Sequence, residues 1–211
     1  MKKSILFIFT ACFLFTTSCS DFLDEEHKTK YSSEYVFGTP EGLKLAVNAL
    51  YALQRYYAND TENATIFALE RGTDLAVTNG GTGNFYGIYD PNYLKPSASQ
   101  VGFMWRTMYQ IIGKANEIIA AAEDLEDTPS LRATVSEAKC FRAQSYFLLY
   151  RTFDRIWLNI QPTTAENVND PRDFHAASEK EVFDLIYEDL EYAITNLDWV
   201  SDEAGRFTQA A

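Results

Sequence analysis

The chain has 211 residues, of which 46% are apolar, 15% aromatic and 23% charged, so a disordered or collagen-like composition is excluded. Acidic residues outnumber basic residues by 30 to 18, which gives a formal net charge of −12 and argues against nucleic acid as a partner, because phosphate would be repelled. The length suits one large domain or a part of a longer protein.

The first 18 residues have the order of a secretory signal peptide. Lys2 and Lys3 precede a short apolar run over residues 5–15, and small and polar residues then lead up to Cys19. As a helix the apolar run would be about 16 Å long, about half of the hydrocarbon core of a bilayer. We therefore predict a signal peptide over residues 1–18 and no membrane-spanning helix there.

Cys19 resembles the lipidated cysteine of a bacterial lipoprotein, although Thr16 stands where leucine is more usual. Acidic residues follow within residues 21–26, which resembles the signal for outer-face display in lipoproteins of the Bacteroidetes type. The alternative is a plain cleaved signal with an incidental cysteine. Since Cys12 leaves with the signal and Cys19 is acylated, Cys140 is the remaining thiol, and no intrachain disulfide is expected.

Helical patterns begin after a lead-in. Residues 19–38 are predicted to form an extended tether and lead-in. Thr39, Pro40 and Glu41 then mark a helix start, because a capping hydroxyl precedes proline at the first helical position and an acid in the first turn. Apolar residues follow at spacings of three and four, which predicts an amphipathic helix over residues 40–57.

A long irregular loop is predicted over residues 58–98, where turn-forming asparagine, glycine and proline pairs occur without a helical period. Loops of this length in a compact domain are more often functional than idle. Tyrosines in the loop are candidates for stacking on sugar rings, with amides and carboxylates between them to hold hydroxyl groups. The alternative is that they pack the loop onto the helices. The candidate glycan-binding residues are Tyr86, Tyr89, Tyr93, Asn84 and Asp90.

Three more amphipathic helices are predicted over residues 99–124, 129–153 and 178–197, the last opened by a serine-to-glutamate capping box. Residues 161–177 are predicted as a polar connecting loop. Long helices joined in this way pack as antiparallel hairpins, so we predict a mainly α fold of tetratricopeptide-like type. The stripe predicted for the last helix comprises Val182, Leu185, Ile186, Leu190, Ala193, Ile194 and Leu197.

Several residues within the helices are interpreted as structural. Trp105, Tyr109 and Phe147 lie at helical spacing and are expected in the core rather than against a ligand. Arg142 and Glu137 are expected to make a structural ion pair or to cap a backbone group, not to act in catalysis.

No pattern in the chain indicates catalysis, a cofactor or a metal. Acids are so abundant that no glycosidase pair stands out. His27 and His175 are too far apart in sequence to suggest a metal motif. Residues 167–173 are acidic and could hold calcium, but they lack the spacing and glycine of an EF-hand loop. We expect no enzyme, no cofactor and no metal site.

The last residues, 205–211, are predicted to open another helix with Thr208 as its cap. Because an α-helical repeat needs a neighbour to cover its last apolar face, we expect the chain to be the front part of a longer protein, truncated at its C-terminus. The alternative is a natural frayed tail.

The order of these motifs resembles the SusD-like (RagB) family of outer-membrane nutrient-binding lipoproteins. The most specific stretch is residues 137–148, in which EAKCFRA and YFL resemble the family's "Glu-Ala-x-x-x-Arg-Ala…Tyr-Phe-x-Leu" helix. Residues 105–119 resemble its "aromatic…Tyr…Ala-Asn" helix. Residues 152–157 depart from the family, which usually has a Tyr-Gly-x-x-Pro-like turn there. The resemblance implies an incomplete N-terminal helical domain over residues 39–211.

In function, the resemblance implies a lipid-anchored protein of the cell outer membrane that faces the exterior. It would bind oligosaccharide or a similar nutrient and pass it to a SusC-type TonB-dependent transporter. Catalysis is not implied. A different hypothesis is a helical module that docks on another protein of an outer-membrane complex and has no small-molecule ligand. An exported hydrolase is a third hypothesis, although no Asp or Glu is singled out for it.

Overall fold

The computed structural model describes residues 31–59, 99–171 and 174–210. Within these residues the chain forms five α-helices and no strand, which confirms the predicted mainly α fold. None of the described helices combines the length and hydropathy needed to cross a membrane. The helices are α1 (Ser33–Gly38), α2 (Pro40–Asn59), α3 (Ser99–Ala122), α4 (Pro129–Phe153) and α5 (Glu179–Asn196).

Helix α1 corrects the predicted extended lead-in, because its six residues are helical. Thr39 joins it to α2. The Thr39 hydroxyl donates to the carbonyl of Tyr35 at the end of α1 (2.8 Å) and accepts from the backbone N–H of Gly42 in the first turn of α2 (3.0 Å). One side chain thus serves a carbonyl at the end of one helix and an orphan N–H at the start of the next.

Glycine at position 42 lets α1 lie directly on α2. A Cβ atom there would stand 2.2 Å from the carbonyl oxygen of Tyr35 and 2.6 Å from the Cα atom of Val36. Both contacts are with backbone, which cannot move aside as a side chain can. The close approach of the two helices therefore requires a residue without a side chain.

Helix α4 packs against both α3 and α5. Residues late in α4 meet residues early in α5, as in the ring contact of Tyr150 with Phe183 (5.5 Å), so the two helices are antiparallel. The caps predicted for α4 and α5 are confirmed. Thr128 accepts from the N–H of Leu131 at the start of α4, and Ser178 forms the capping box with Glu181 at the start of α5.

The core lies between α2, α3, α4 and α5. Most successive members along a helix are three or four residues apart, so each helix presents an apolar stripe to the others. The largest fully buried side chains include Leu43, Leu50, Met108, Ile112, Phe141, Tyr146 and Val182.

Two predictions of burial are wrong. On α5 the buried positions are Val182, Ile186, Asp189 and Ala193, whereas Leu190 is 37% exposed and Ile194 is 53% exposed. The buried face of α5 includes the carboxylate of Asp189. A prediction based on apolar residues alone therefore places the buried face too far around the helix. Phe147 on α4 is also exposed, at 39%.

The C-terminal segment departs from the predicted helix start at residues 205–211, because residues 201–210 form turns and coil. Gly205 has a φ of 83°, which suits glycine. Phe207 then packs edge-on against Phe141 (4.9 Å between ring centroids), and its N–H donates to the hydroxyl of Tyr51 (2.8 Å). The segment therefore returns to the core between α2 and α4.

Candidate functional site

The predicted site residues lie outside the described residues. They are Cys19, Asn84, Tyr86, Tyr89, Asp90 and Tyr93. Within the described residues, a cleft is formed by the segment that follows α4. The sequence predicted a plain connecting loop over most of this segment.

The cleft begins where the chain leaves α4 at Asp154. Asp154 has φ 62° and ψ −52°, and the N–H of Arg155 donates to the carbonyl of Phe153 (2.6 Å). This is a γ-turn with positive φ, which is rare and strained for a residue with a side chain. It stands in the stretch that lacks the family's usual glycine and proline, and it turns the chain sharply at the end of the helix.

Two tyrosine hydroxyls hold the segment in place. The Tyr109 hydroxyl of α3 donates to the carbonyl of Trp157 (2.8 Å) and accepts from its N–H (2.9 Å). The Tyr146 hydroxyl of α4 does the same for Asn159, with both distances 2.8 Å. Each hydroxyl satisfies the N–H and the carbonyl of one residue, as a neighbouring strand would. The two residues held in this way, Trp157 and Asn159, are two positions apart in the chain.

Burial raises the pKa of both Tyr109 and Tyr146 above the ordinary tyrosine value. Both hydroxyls therefore stay protonated at neutral pH and keep donating to the two carbonyls. The segment they hold is positioned before any ligand arrives.

A buried polar network supports Asn159 from the other side. Asp189 on α5 is fully buried and accepts from Lys139 Nζ (2.8 Å), Arg142 Nε (2.7 Å) and Arg142 Nη2 (2.7 Å). Arg142 also donates to the side-chain carbonyl of Asn116 (2.8 Å), whose amide nitrogen donates to the carbonyl of Asn159 (2.7 Å). The network therefore joins α3, α4 and α5 to the segment that forms the cleft.

The predicted structural role of Arg142 and Glu137 is confirmed, with partners that the sequence did not identify. Arg142 pairs with Asp189, as described above. Glu137 pairs with Arg206 from the C-terminal segment (3.1 Å) and accepts from the hydroxyl of Tyr51. Both residues link helices to distant parts of the chain.

The cleft has a volume of about 400 Å³ and is lined by residues 157–162 together with Asn167, Asp170 and Pro171. The Asn167 side chain holds the loop that lines the cleft, because its amide nitrogen donates to the carbonyl of Pro162 (3.0 Å) and its oxygen accepts from the N–H of Thr164 (2.8 Å). The lining therefore mixes apolar side chains, amides and a carboxylate, as small-molecule sites do.

A series of aromatic rings leads from α3 to the rim of this cleft. The ring centroids of Trp105 and Tyr109 are 4.8 Å apart, those of Tyr109 and Trp157 6.4 Å, and those of Trp157 and Phe174 4.7 Å. Trp105 and Tyr109 pack against the core as predicted. Phe174 ends the series with 71% of its surface exposed.

The sequence held only a weak signal for this cleft. Trp157 and Phe174 are aromatic residues on either side of a polar loop between two helices. Nothing local indicates that they meet, because the position of Trp157 depends on its hydrogen bonds to Tyr109 of α3.

The described parts of the chain contain no group of three or more His, Cys, Asp or Glu side chains placed to hold an ion. Two residues of the acidic stretch considered for calcium, 172 and 173, lie outside those parts.

Comparison with known proteins decides the family. Residues 21–211 match the family SusD-like_3, described as "Starch-binding associating with outer membrane". The chain belongs to the SusD-like family. A SusD-like protein of Bacteroides ovatus is 27% identical over 224 residues, which cover 100% of this chain and 38% of that relative. SusD-like protein P38 of Formosa agariphila is 28% identical, over 96% of this chain and 40% of that protein.

A solved structure of a laminarin-binding SusD-like protein has a TM-score of 0.68 and 27% identity to the chain. The match covers 80% of this chain and 37% of that one. The SusD-like chain thus spans about two fifths of the length of the curated relatives it matches, 38% and 40%.

Proposed function

We propose that the SusD-like chain belongs to a lipoprotein on the outer face of the outer membrane that binds oligosaccharide or a similar nutrient and delivers it to a SusC-type TonB-dependent transporter. The observation that carries the proposal is the family match over residues 21–211. A laminarin-binding relative with the same fold supports a glycan as the nutrient. The protein would bind this nutrient without cleaving it.

Attachment to the membrane is assigned to Cys19. Each buried CH₂ group of an acyl chain contributes about 0.8 kcal/mol, so several chains can hold a strongly acidic protein that anionic lipid would repel. Mass spectrometry of the mature N-terminus tests this attachment, and an unacylated Cys19 would contradict it.

Glycan recognition is assigned in the first place to the tyrosines predicted to stack on sugar rings, Tyr86, Tyr89 and Tyr93. Replacing all three by Ala is expected to weaken binding at least tenfold, because stacking residues dominate the affinity of such sites. Isothermal titration of the full chain against laminarin, soluble starch and polygalacturonate measures the loss. Trp199→Ala is the control, since Trp199 is an aromatic residue that is 70% exposed and belongs to neither proposed surface.

If a glycan binds the wild type and the triple variant equally, the three tyrosines are not part of the binding site. No binding to any of the three polysaccharides would count against the function itself. The laminarin arm is included because a relative binds it, and the polygalacturonate arm because it is anionic.

One observation favours a second candidate, docking on a protein partner. Three exposed apolar residues of α5 form a row at spacings of three and four, which is the pattern of a helix-packing seam. The test is capture of an outer-membrane barrel protein by the wild type and by two variants. Docking is supported if the double variant Leu190→Glu with Ile194→Glu loses the capture and the triple tyrosine variant keeps it. The row comprises Tyr187, Leu190 and Ile194.

A further inference from the structure

We propose that the cleft formed by residues 157–162, Asn167, Asp170 and Pro171 is a second saccharide subsite that takes a neutral pyranose unit, with Phe174 at its rim. The inference rests on the glycan-binding function proposed above. It assigns a ligand-binding role to described residues that belong neither to the predicted tyrosine site nor to any site given by the family match.

Two apolar residues at the cleft are exposed. Ile160, which lines the cleft, is 57% exposed, and Phe174, whose ring lies 4.7 Å from that of the lining residue Trp157, is 71% exposed. An exposed apolar patch with polar residues around it marks an interaction site on a protein surface. A pyranose ring fits such a patch, because its C–H face packs on an aromatic ring while its hydroxyls stay available for hydrogen bonds.

The polar side of the cleft offers groups that suit hydroxyls. Gln161 is exposed, and its amide makes no hydrogen bond with the rest of the described chain, so it can both donate and accept. The carboxylate of Asp170, which also lines the cleft, adds an acceptor.

Charge selects a neutral sugar. The described lining contains Asp170 and no Lys or Arg, and Glu166 lies in the same loop. The whole chain carries a net charge of −12. A uronate or sulfate group would meet like charge here, so an anionic oligosaccharide is disfavoured at this subsite.

The cleft is also prepared in advance. The Tyr109 and Tyr146 hydroxyls fix the lining residues Trp157 and Asn159, and the Asn167 side chain bonds to the lining residue Pro162. A rigid site loses less conformational entropy when a ligand binds, which favours weak ligands such as single sugar rings.

The test uses the full chain in a detergent without a sugar headgroup. Cellohexaose, laminarihexaose and maltohexaose are the neutral probes and hexagalacturonate is the anionic probe, and Kd is measured by isothermal titration. For the neutral probe that binds best, Phe174→Ala is expected to raise Kd about tenfold and Gln161→Ala about threefold to tenfold. Hexagalacturonate is expected to bind at least tenfold more weakly than that probe.

The control is Trp199→Ala, because Trp199 is 70% exposed, as Phe174 is, and does not line the cleft. It should keep the wild-type Kd. Saturation with the sugar should shift the tryptophan emission, since Trp157 lines the cleft, and the shift should survive in Trp199→Ala. Equal urea midpoints for all three variants check that none is unfolded.

Unchanged Kd values in both Phe174→Ala and Gln161→Ala, with sugar still bound, would overturn the subsite and leave the proposed function standing. If no probe binds the wild type, both proposals fail together. Tight binding of hexagalacturonate that depends on Phe174 would overturn the selection of neutral sugars.

Discussion

Asp189 occupies a position that an amphipathic helix normally gives to an apolar side chain. It stands on α5 between Ile186 and Ala193, both buried, and has no exposed surface itself. Burying a carboxylate costs several kcal/mol, about as much as its attraction to a partner returns, so the carboxylate is tolerated only with its two cations and their hydrogen bonds in place. Asp189 thereby holds α5 in register with Lys139 and Arg142 on α4.

Replacing Asp189 by Asn should destabilise the protein by about 3–5 kcal/mol, because the change leaves two buried cations without a counter-charge. The free energy of unfolding from urea titration measures the loss. Asp184→Asn is the matched control: Asp184 pairs with Lys180 on the exposed face of the same helix, with side chains 60% and 83% exposed. The control should change stability by at most about 1 kcal/mol. Equal losses in the two variants would refute the role given to the buried network.

At the scale of the helix, the sequence predicts an element well where a local side chain sets its boundary. Pro40, Thr128 and Ser178 mark the starts of α2, α4 and α5, and the structure places those helices within two residues of the predicted starts. Helix α1 was not predicted, because its six residues are too few to show the apolar periodicity of a helix.

The cleft could not be predicted for a different reason. Its shape depends on Tyr109 and Tyr146, which bond to residues 48 and 13 positions further along the chain. The γ-turn at Asp154 also goes against the local preference for glycine. Pairings of this kind are set by tertiary packing, and no spacing rule within the loop reveals them.

Gly42→Ala tests the contact of α1 with α2. The added Cβ would stand 2.2 Å from a backbone oxygen, so α1 must shift or detach, at a cost of about 1–3 kcal/mol. Gly113→Ala, in the middle of α3, has nothing within 4 Å of the new Cβ and should instead stabilise the protein by about 0.5–1 kcal/mol. Thermal unfolding followed by circular dichroism compares the two variants. A Gly42→Ala protein as stable as the Gly113→Ala protein would mean that α1 does not pack closely on α2.

At the scale of the whole molecule, side-chain hydrogen bonds tie non-helical segments to the helices in two places. Tyr109 and Tyr146 hold the segment after α4, and Tyr51 holds the C-terminal segment through the N–H of Phe207. Each of the three hydroxyls donates one hydrogen bond and accepts another. The stability of the molecule therefore depends on these hydroxyls keeping their protons.

This dependence predicts a loss of stability in alkali. Burial raises the pKa of Tyr51, Tyr109 and Tyr146 above the ordinary value of 10.0 and that of the Cys140 thiol from 9.0 to about 12. Because these groups ionise more readily in the unfolded chain, their contribution to stability is complete below about pH 9 and falls as the pH rises towards 12. Urea midpoints at pH 8, 9, 10 and 11 should be level at first and then decline.

Tyr146→Phe identifies the source of the decline. At pH 8 this variant should be less stable by about 1–3 kcal/mol, because the N–H of Asn159 loses its acceptor and the carbonyl loses one of its two donors. Its stability should then fall less steeply between pH 9 and 11 than that of the wild type, since one group with a raised pKa is gone. Tyr187→Phe, on an exposed face, should keep the wild-type slope. A slope in Tyr146→Phe equal to that of the wild type would show that the hydroxyl at the cleft does not couple protonation to folding.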